Sequence, residues 1–323
     1  MKDKEYFKIP LLSYSRLARF DESGAKSINE EFGESNQEFY ALGALTEEII
    51  QGDLVSLKEN FIISDFVRPT ASLGDLADEM LANNAELKGE TAMVLARALG
   101  LWSNVKKDEV YLKKFDTKEF WGYLKLYRNK GDRKIVSPKL FDLATEMAKG
   151  ITEGMFTKDI FESNAKRELL YQEVILWNNE TYKSKLDLMV IDHNLKSIIP
   201  YDIKTSAFPA EEFKSQFYKF RYYIQSSMYT DALEEWRLEH YPEYLLKPFQ
   251  FIVVSRENPS TALTFTVDET MIDKGRDGIH RDDGSLMRKG YKQLTEEFNW
   301  HVDSQQFDFS FTTYENKGNI LIE

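Results

Sequence analysis

The chain has 323 residues, 42% hydrophobic and 14% aromatic, enough apolar material for one large core or two modest ones. Its net charge of −12 argues against coating nucleic acid by bulk electrostatics but leaves room for a local basic groove. There is no cysteine, which excludes disulfides, thiolate zinc sites, iron–sulfur clusters and cysteine nucleophiles.

The histidines, His193, His240, His280 and His301, are not at metal-ligand spacing. MKDKEYFKIP at the amino terminus mixes charges of both signs without an apolar leader, and no run approaches a membrane span, so a cytoplasmic protein away from membranes is expected.

Residues 1–105 read as mainly helical: EFYALGALTEEII (38–50), SLGDLADEMLANN (72–84) and ETAMVLARALGLW (90–102) repeat apolar residues at three and four. Ser72 with Asp75 three residues later predicts a capping box, and NFIISDFVRP predicts a short extended piece stopped at Pro69. Residues 106–150 form a basic, aromatic segment in an acidic chain. There Lys130, Arg133, Lys134 and eight other cations outnumber five acids, with Tyr111, Phe115, Phe120, Trp121, Tyr123 and Tyr127 interleaved. Two readings are open: a solvated helical surface, or a phosphate-tracking wall whose rings stack on bases.

From 151 to 323 the pattern is α/β. LYQEVILW, TYKSKLDLMVID and SIIPYDIKT read as three strands joined by turns. A long helical stretch over about 210–239 follows, then strands FQFIVVS and ALTFTVD. Residues 269–301 predict helix at both ends with a polar break around Gly278 to Ser285. This order suggests a mixed sheet of about five strands flanked by helices, one compact domain overall.

Strand parity puts Glu173 on a face with Ile175 and Trp177, Asp187 with Met189 and Ile191, and Asp202 with Lys204. Three acids on consecutive strands can converge, and two carboxylates about 4 Å apart repel by roughly 4 kcal/mol at an effective dielectric of about 20. Lys204 alone cannot neutralise three acids, so a hard divalent cation, magnesium first, fits the carboxylates and a backbone carbonyl. Such a site beside a lysine suits phosphodiester hydrolysis. On the following helix Gln225 and Tyr229 are four apart and share a face, downstream of Lys214, Lys219 and Arg221 among aromatics. An acid two residues before a lysine also recurs in polar or helical surroundings, as at Glu86/Lys88 and Asp132/Lys134, but Asp202/Lys204 ends an apolar strand fifteen residues after Asp187.

The ordered set Glu173, Asp187, Asp202, Lys204, Gln225, Tyr229 resembles the PD-(D/E)xK nuclease superfamily, restriction-endonuclease-like in fold. Within it the set is similar to the RecB-like branch and the phage exodeoxyribonuclease VIII and lambda exonuclease group, over about residues 170–270. The resemblance implies a two-metal site for DNA hydrolysis, with magnesium replaceable by manganese. Asp187, Asp202 and the Ile203 carbonyl would be ligands, Glu173 would bind or orient the second ion, and Lys204 would position the attacking water. Gln225 and Tyr229 would orient Lys204, the water or the phosphate.

It further implies DNA with a free end as substrate, in phage or prophage recombination, replication or repair. A single-strand annealing protein as partner and a homo-oligomer belong to the same implication, and the helices of 1–105 would roof the cleft. Two features depart from the branch: Thr46, followed by Glu47 and Glu48, stands where a helical histidine is common, and Ser184 and Lys185 stand where a glycine is common before the hairpin acid. No GxxxxGK[ST] loop is present to make a motor. Besides an exonuclease, a non-catalytic DNA-binding protein on the same scaffold and an endonuclease with the same chemistry stay open.

Overall fold

Apolar residues spaced at three and four become helices Glu38–Gln51, Leu54–Asn60, Ala71–Ala82, Gly89–Ala98, Asp108–Leu112 and Lys118–Asn129. Strands β1 (Phe61–Ile63) and β2 (Lys134–Val136) pair in parallel beside them. These belong to Asn36–Ala148, one of two compact units in this computed structural model; the other combines Met1–Ser35 with Lys149–Glu323. Residues 3–29, 38–52 and 54–319 are described.

The first unit centres on Leu76, Met80, Ala92, Ala96, Phe115, Phe120 and Leu124, all buried. Tyr111 and Tyr123 join them, with Trp121 and Tyr127 partly buried against the cluster. The rings of the basic segment are therefore core, correcting the expectation that they stand open for stacking. The physical reason is helical spacing: Phe120, Tyr123, Leu124 and Tyr127 fall on one stripe, which must be covered for the helix to be stable. The capping box at Ser72 is also corrected. The helix starts at Ala71 behind Thr70, whose side chain makes no capping bond.

The second unit is built on a mixed sheet. Strands β3 (Arg167–Trp177), β4 (Tyr182–Asp192) and β5 (Ser197–Ser206) form an antiparallel meander, with β6 (Leu245–Leu246) beside the start of β5. β7 (Gln250–Ser255) pairs with β5 in parallel, and β8 (Ala262–Thr266) with β7 antiparallel, giving the order β3-β4-β5-β7-β8. A parallel neighbour requires a crossover, and the helical stretch after β5 supplies it.

One face of the sheet, with Ile175, Trp177, Met189, Ile191, Ile198, Phe251 and Val253, packs against helices Tyr14–Ser23, Tyr222–His240, Glu269–Asp277 and Tyr291–Ser304. Burying each such side chain contributes about 1.5–3 kcal/mol, which holds the layers together. Leu188, Val190, Ile252 and Val254 of the opposite parity are buried as well.

Two details bear on the site. The crossover is not one helix: a 3-10 turn Ala210–Glu212 leads into helix Phe213–Lys219, and the chain breaks at Arg221, φ 59°, before Tyr222–His240. The polar break after Glu269–Asp277 is a small hairpin, β9 (Ile279–His280) with β10 (Leu286–Arg288). The amino-terminal segment lies against β4, where Leu12 bridges Tyr182 in parallel. There the buried Lys183 ammonium donates to the Tyr6 and Ile9 carbonyls at 2.7 and 2.8 Å. Among the described residues no helix is long and apolar enough to cross a membrane.

Candidate active site

β4 and β5 stay paired from Asp192↔Ser197 to Leu188↔Tyr201, and there the ladder ends. Beyond it β5 is paired with β7 and β4 with β3. Asp187 and Asp202, the next residues in register, sit at this fork. Asp187 Oδ2 accepts the Ile203 N–H at 2.8 Å, so a carboxylate replaces the ladder bond that Ile203 would otherwise lose.

On the other side of β4 the ladder is also interrupted. Gln172 adopts φ 56° between the pairs Tyr171↔Leu188 and Glu173↔Leu186. A left-handed non-glycine residue inside a strand is strained, at a cost of about 1–3 kcal/mol, and persists only when its surroundings hold it. Its Nε2 lies 3.4 Å from Asp187 Oδ1.

Asp202 is held from two directions. Gln225 Nε2 donates to Oδ1 at 2.6 Å, and Lys204 Nζ lies 2.5 Å from Oδ2. The Asp202 side chain is 2% exposed and that of Lys204 21%. Burial, then the charge of Asp202, push the Asp187 carboxyl up to about 7. Asp202 is raised by burial too, against the pull of Lys204, Gln225 and Asp187. Burial alone would lower Lys204, but the Asp202 carboxylate, with Tyr222 and Asp187, outweighs it and holds the ammonium well above its ordinary range.

Lys204 Nζ also lies 4.8 Å from the Tyr222 ring centre and 5.9 Å from that of Phe251. One turn beyond Gln225, Tyr229 is buried, and its phenol is raised far above the usual range by burial, with Tyr6, Asp202 and Asp187 adding to it.

The structure thus brings together Asp187, Asp202, Lys204 and Gln225, with Tyr229 in electrostatic reach. Ile203 lies between Asp202 and Lys204, its N–H taken by Asp187. Glu173 is half-buried on β3 opposite Leu186, and no hydrogen bond or ion pair ties it to the described residues. From β3 it is Gln172 that hydrogen-bonds Asp187. No set of three acidic or histidine side chains is gathered among the described residues.

The donor set nevertheless suits a hard cation. Gln225 Oε1 is fully buried without a hydrogen-bond donor among the described residues, and Asp202 Oδ2 is answered by the Lys204 charge alone. Two buried carboxylates beside an unanswered amide oxygen are short of positive charge. Magnesium sites are commonly built from one or two carboxylates completed by water and substrate oxygens.

Of the basic residues singled out, Lys214 and Lys219 are exposed on helix Phe213–Lys219, whereas the Arg221 guanidinium is paired with Asp21. In the other unit Lys130 Nζ sits 4.7 Å from the Tyr127 ring centre, Arg133 Nε donates to the Lys130 carbonyl at 3.0 Å, and Lys134 lies in β2. Thr46 is buried in helix Glu38–Gln51, its hydroxyl donating to the Leu42 carbonyl at 2.8 Å.

Sequence reasoning missed Gln172, Tyr14 and Tyr222. Tyr222 shares the Gln225 face of its helix three residues earlier, which is a readable signal. Tyr14, some 200 residues upstream of the helix break it reaches, has none.

No curated protein matches the chain. A crystal structure from Eubacterium rectale, described as "Putative exonuclease", superposes with a TM-score of 0.48 at 10% identity, over 100% of this chain and 95% of that one. Residues 13–288 match the family described as "PDDEXK-like domain of unknown function (DUF3799)", a span that contains the strand fork and Lys204. The chain belongs to this PDDEXK-like family and, with it, to the PD-(D/E)xK superfamily.

Proposed function

We propose that the protein is a divalent-metal-dependent DNA nuclease that works as an exonuclease from a free end. The observation that carries this reading is the buried group at the strand fork, in which Lys204 Nζ lies 2.5 Å from Asp202 and Asp187 is held against the next residue of the same strand. Membership of a PDDEXK-like family supports hydrolysis of nucleic acid in general.

In this reading Asp187, Asp202 and the Ile203 carbonyl hold magnesium, with Glu173 serving a second ion and manganese able to substitute. The bound cation supplies Lewis acidity and charge for a phosphodiester. Lys204 brings a protonated ammonium to the scissile phosphate and the attacking water. Gln225 fixes the Asp202 rotamer through Nε2 and keeps Oε1 for water or substrate. Tyr229 keeps its proton, so its hydroxyl can donate to an oxyanion.

Lys214 and Lys219 would meet the DNA backbone near the crossover, and Lys130, Arg133 and Lys134 would add a second set of phosphate contacts. Arg221 would contribute to DNA only by releasing Asp21. A free-end substrate, a single-strand annealing partner, a homo-oligomer and a role in phage recombination follow from the resemblance of the motif.

A second reading, a DNA-binding protein on an inactive nuclease scaffold, is favoured by Thr46, whose hydroxyl is already bonded to Leu42 in place of a histidine ligand. Digestion of linear, nicked and closed circular DNA, with magnesium or with chelator, separates the two. The exonuclease degrades linear DNA only with metal and loses this in Lys204→Ala. Cutting of closed circles assigns an endonuclease, and binding without metal-dependent digestion assigns the inactive scaffold.

A further inference from the structure

The Lys204 side chain is long and flexible, and its ammonium has one carboxylate partner, Asp202. What else holds it is aromatic: the Tyr222 ring at 4.8 Å, backed by Phe251 and Phe213, whose ring centres lie 5.5 and 5.7 Å from that of Tyr222. A ring face attracts a cation, and more so where water is excluded.

Tyr222 owes its place to the break in the crossover. It is the first residue of helix Tyr222–His240 and follows Arg221, a non-glycine residue at φ 59°. That conformation needs outside support, and the support comes from helix Tyr14–Ser23. The Tyr14 hydroxyl donates to the Phe220 carbonyl at 2.5 Å, and Asp21 pairs with the Arg221 guanidinium. Both residues of the break are thus held from one helix.

The Tyr14 ring adds a contact 6.4 Å from the Tyr222 ring centre. Helix Tyr14–Ser23 is in turn fastened to β4, since Leu12 is bonded to both Thr181 and Lys183 and the Lys183 ammonium grips the Tyr6 and Ile9 carbonyls.

We propose that Tyr222 is a positioning residue that confines the Lys204 ammonium over the fork, and that Tyr14 and Asp21 set it there by clamping the turn at Arg221. The clamp makes the first two dozen residues part of the site, although none of them is an acid or lysine of the motif. The catalytic consequence rests on the nuclease reading; the confinement of Lys204 does not.

Two measurements on the full-length protein test this. Brief acylation with an N-hydroxysuccinimide ester in chelator, read by mass spectrometry against exposed Lys214, reports Lys204 accessibility. Tyr222→Leu is expected to raise Lys204 labelling about fivefold, Tyr222→Phe to leave it within about twofold, and Tyr14→Phe to raise it about twofold to threefold. On linear duplex DNA with magnesium, Tyr222→Leu is expected to lower kcat about fivefold with KM within about twofold, and Tyr222→Phe to retain wild-type kcat.

The proposal is overturned if Tyr222→Leu labels as wild type, or if Tyr222→Phe changes as much as Tyr222→Leu. Should Tyr222→Leu fail to fold, Tyr14→Phe, which deletes a single hydroxyl, decides by the same labelling. A wild-type protein that digests no DNA would remove the nuclease reading, and the labelling would still decide whether Tyr222 confines Lys204.

Discussion

The segment 106–139 and the fork between β4 and β5 both stand out in the sequence by the chemistry of their side chains, and the structure treats them in opposite ways. In the first, Phe115 and Phe120 are fully buried with apolar neighbours, and the Tyr111 hydroxyl is answered by the Leu101 carbonyl at 2.6 Å. Nothing about these rings is left unsatisfied. At the fork, two carboxyls are buried within reach of each other, one ammonium balances them, and Gln225 Oε1 has no donor among the described residues. Composition flags both regions, but only the second retains an electrostatic cost that folding has not removed. An unbalanced buried polar group is the better mark of a working site.

The two regions should therefore respond differently to substitution. The strongest response is expected for Lys204→Ala, which should lower metal-dependent DNA hydrolysis roughly 10²–10³-fold, the scale of removing one charged group from the transition state. A nuclease that keeps wild-type rates without this ammonium would mean that the fork is structural. Next comes Phe115→Ala in the basic segment, which should cost about 3–5 kcal/mol of stability, read from the denaturant midpoint, with DNA affinity of the still-folded protein unchanged. Weakened affinity at full stability would restore the stacking reading.

A smaller effect concerns protons. The Asp187 carboxyl is raised in the folded chain to about 7, so the folded state holds a proton that the unfolded chain releases near its ordinary value of about 4. The contribution of this group is therefore full below about pH 4 and is lost as pH rises through about 7. In chelator, thermal or urea unfolding should show a less stable protein at pH 8 than at pH 6, and Asp187→Asn should flatten that slope. A stability that climbs with pH over this range would contradict the burial of the pair.

Weakest of the four, removing Lys130, Arg133 or Lys134 should reduce DNA binding almost equally across sequences and lower the salt slope by about one for each phosphate no longer neutralised. An unaltered salt slope would take these residues out of the interface.

Much of the fold was legible because β-strand parity is a local property. The strands around Glu173, Asp187 and Asp202, and the faces they share with Ile175, Met189 and Lys204, follow from alternation alone, and the buried core repeats them. Gln225 likewise follows from its helix, and its bond to Asp202 puts it where a helix leaning on the sheet would. Alternation misses the flip at Gln172. A left-handed residue turns the strand over without shifting its register, so Leu170 and Ile175, of opposite parity, both reach the same core. The break at Arg221 is hidden for the same reason, since an unbroken run of helix-compatible aromatics carries no glycine or proline to mark it.

The order of amino acids was enough to set the inventory: three strands each bearing an acid, a lysine two residues after the last, and a glutamine and tyrosine one turn apart on the next helix. These depend on periods of two and about four residues, which neighbouring side chains enforce. It took the assembled fold to part β4 from β5 beside Asp187 and Asp202, to bring Gln172 to Asp187, and to carry Tyr14 and Asp21 to the turn before Tyr222. Those outcomes depend on which buried donors and charges find partners across some 200 residues, a balance that no local pattern encodes.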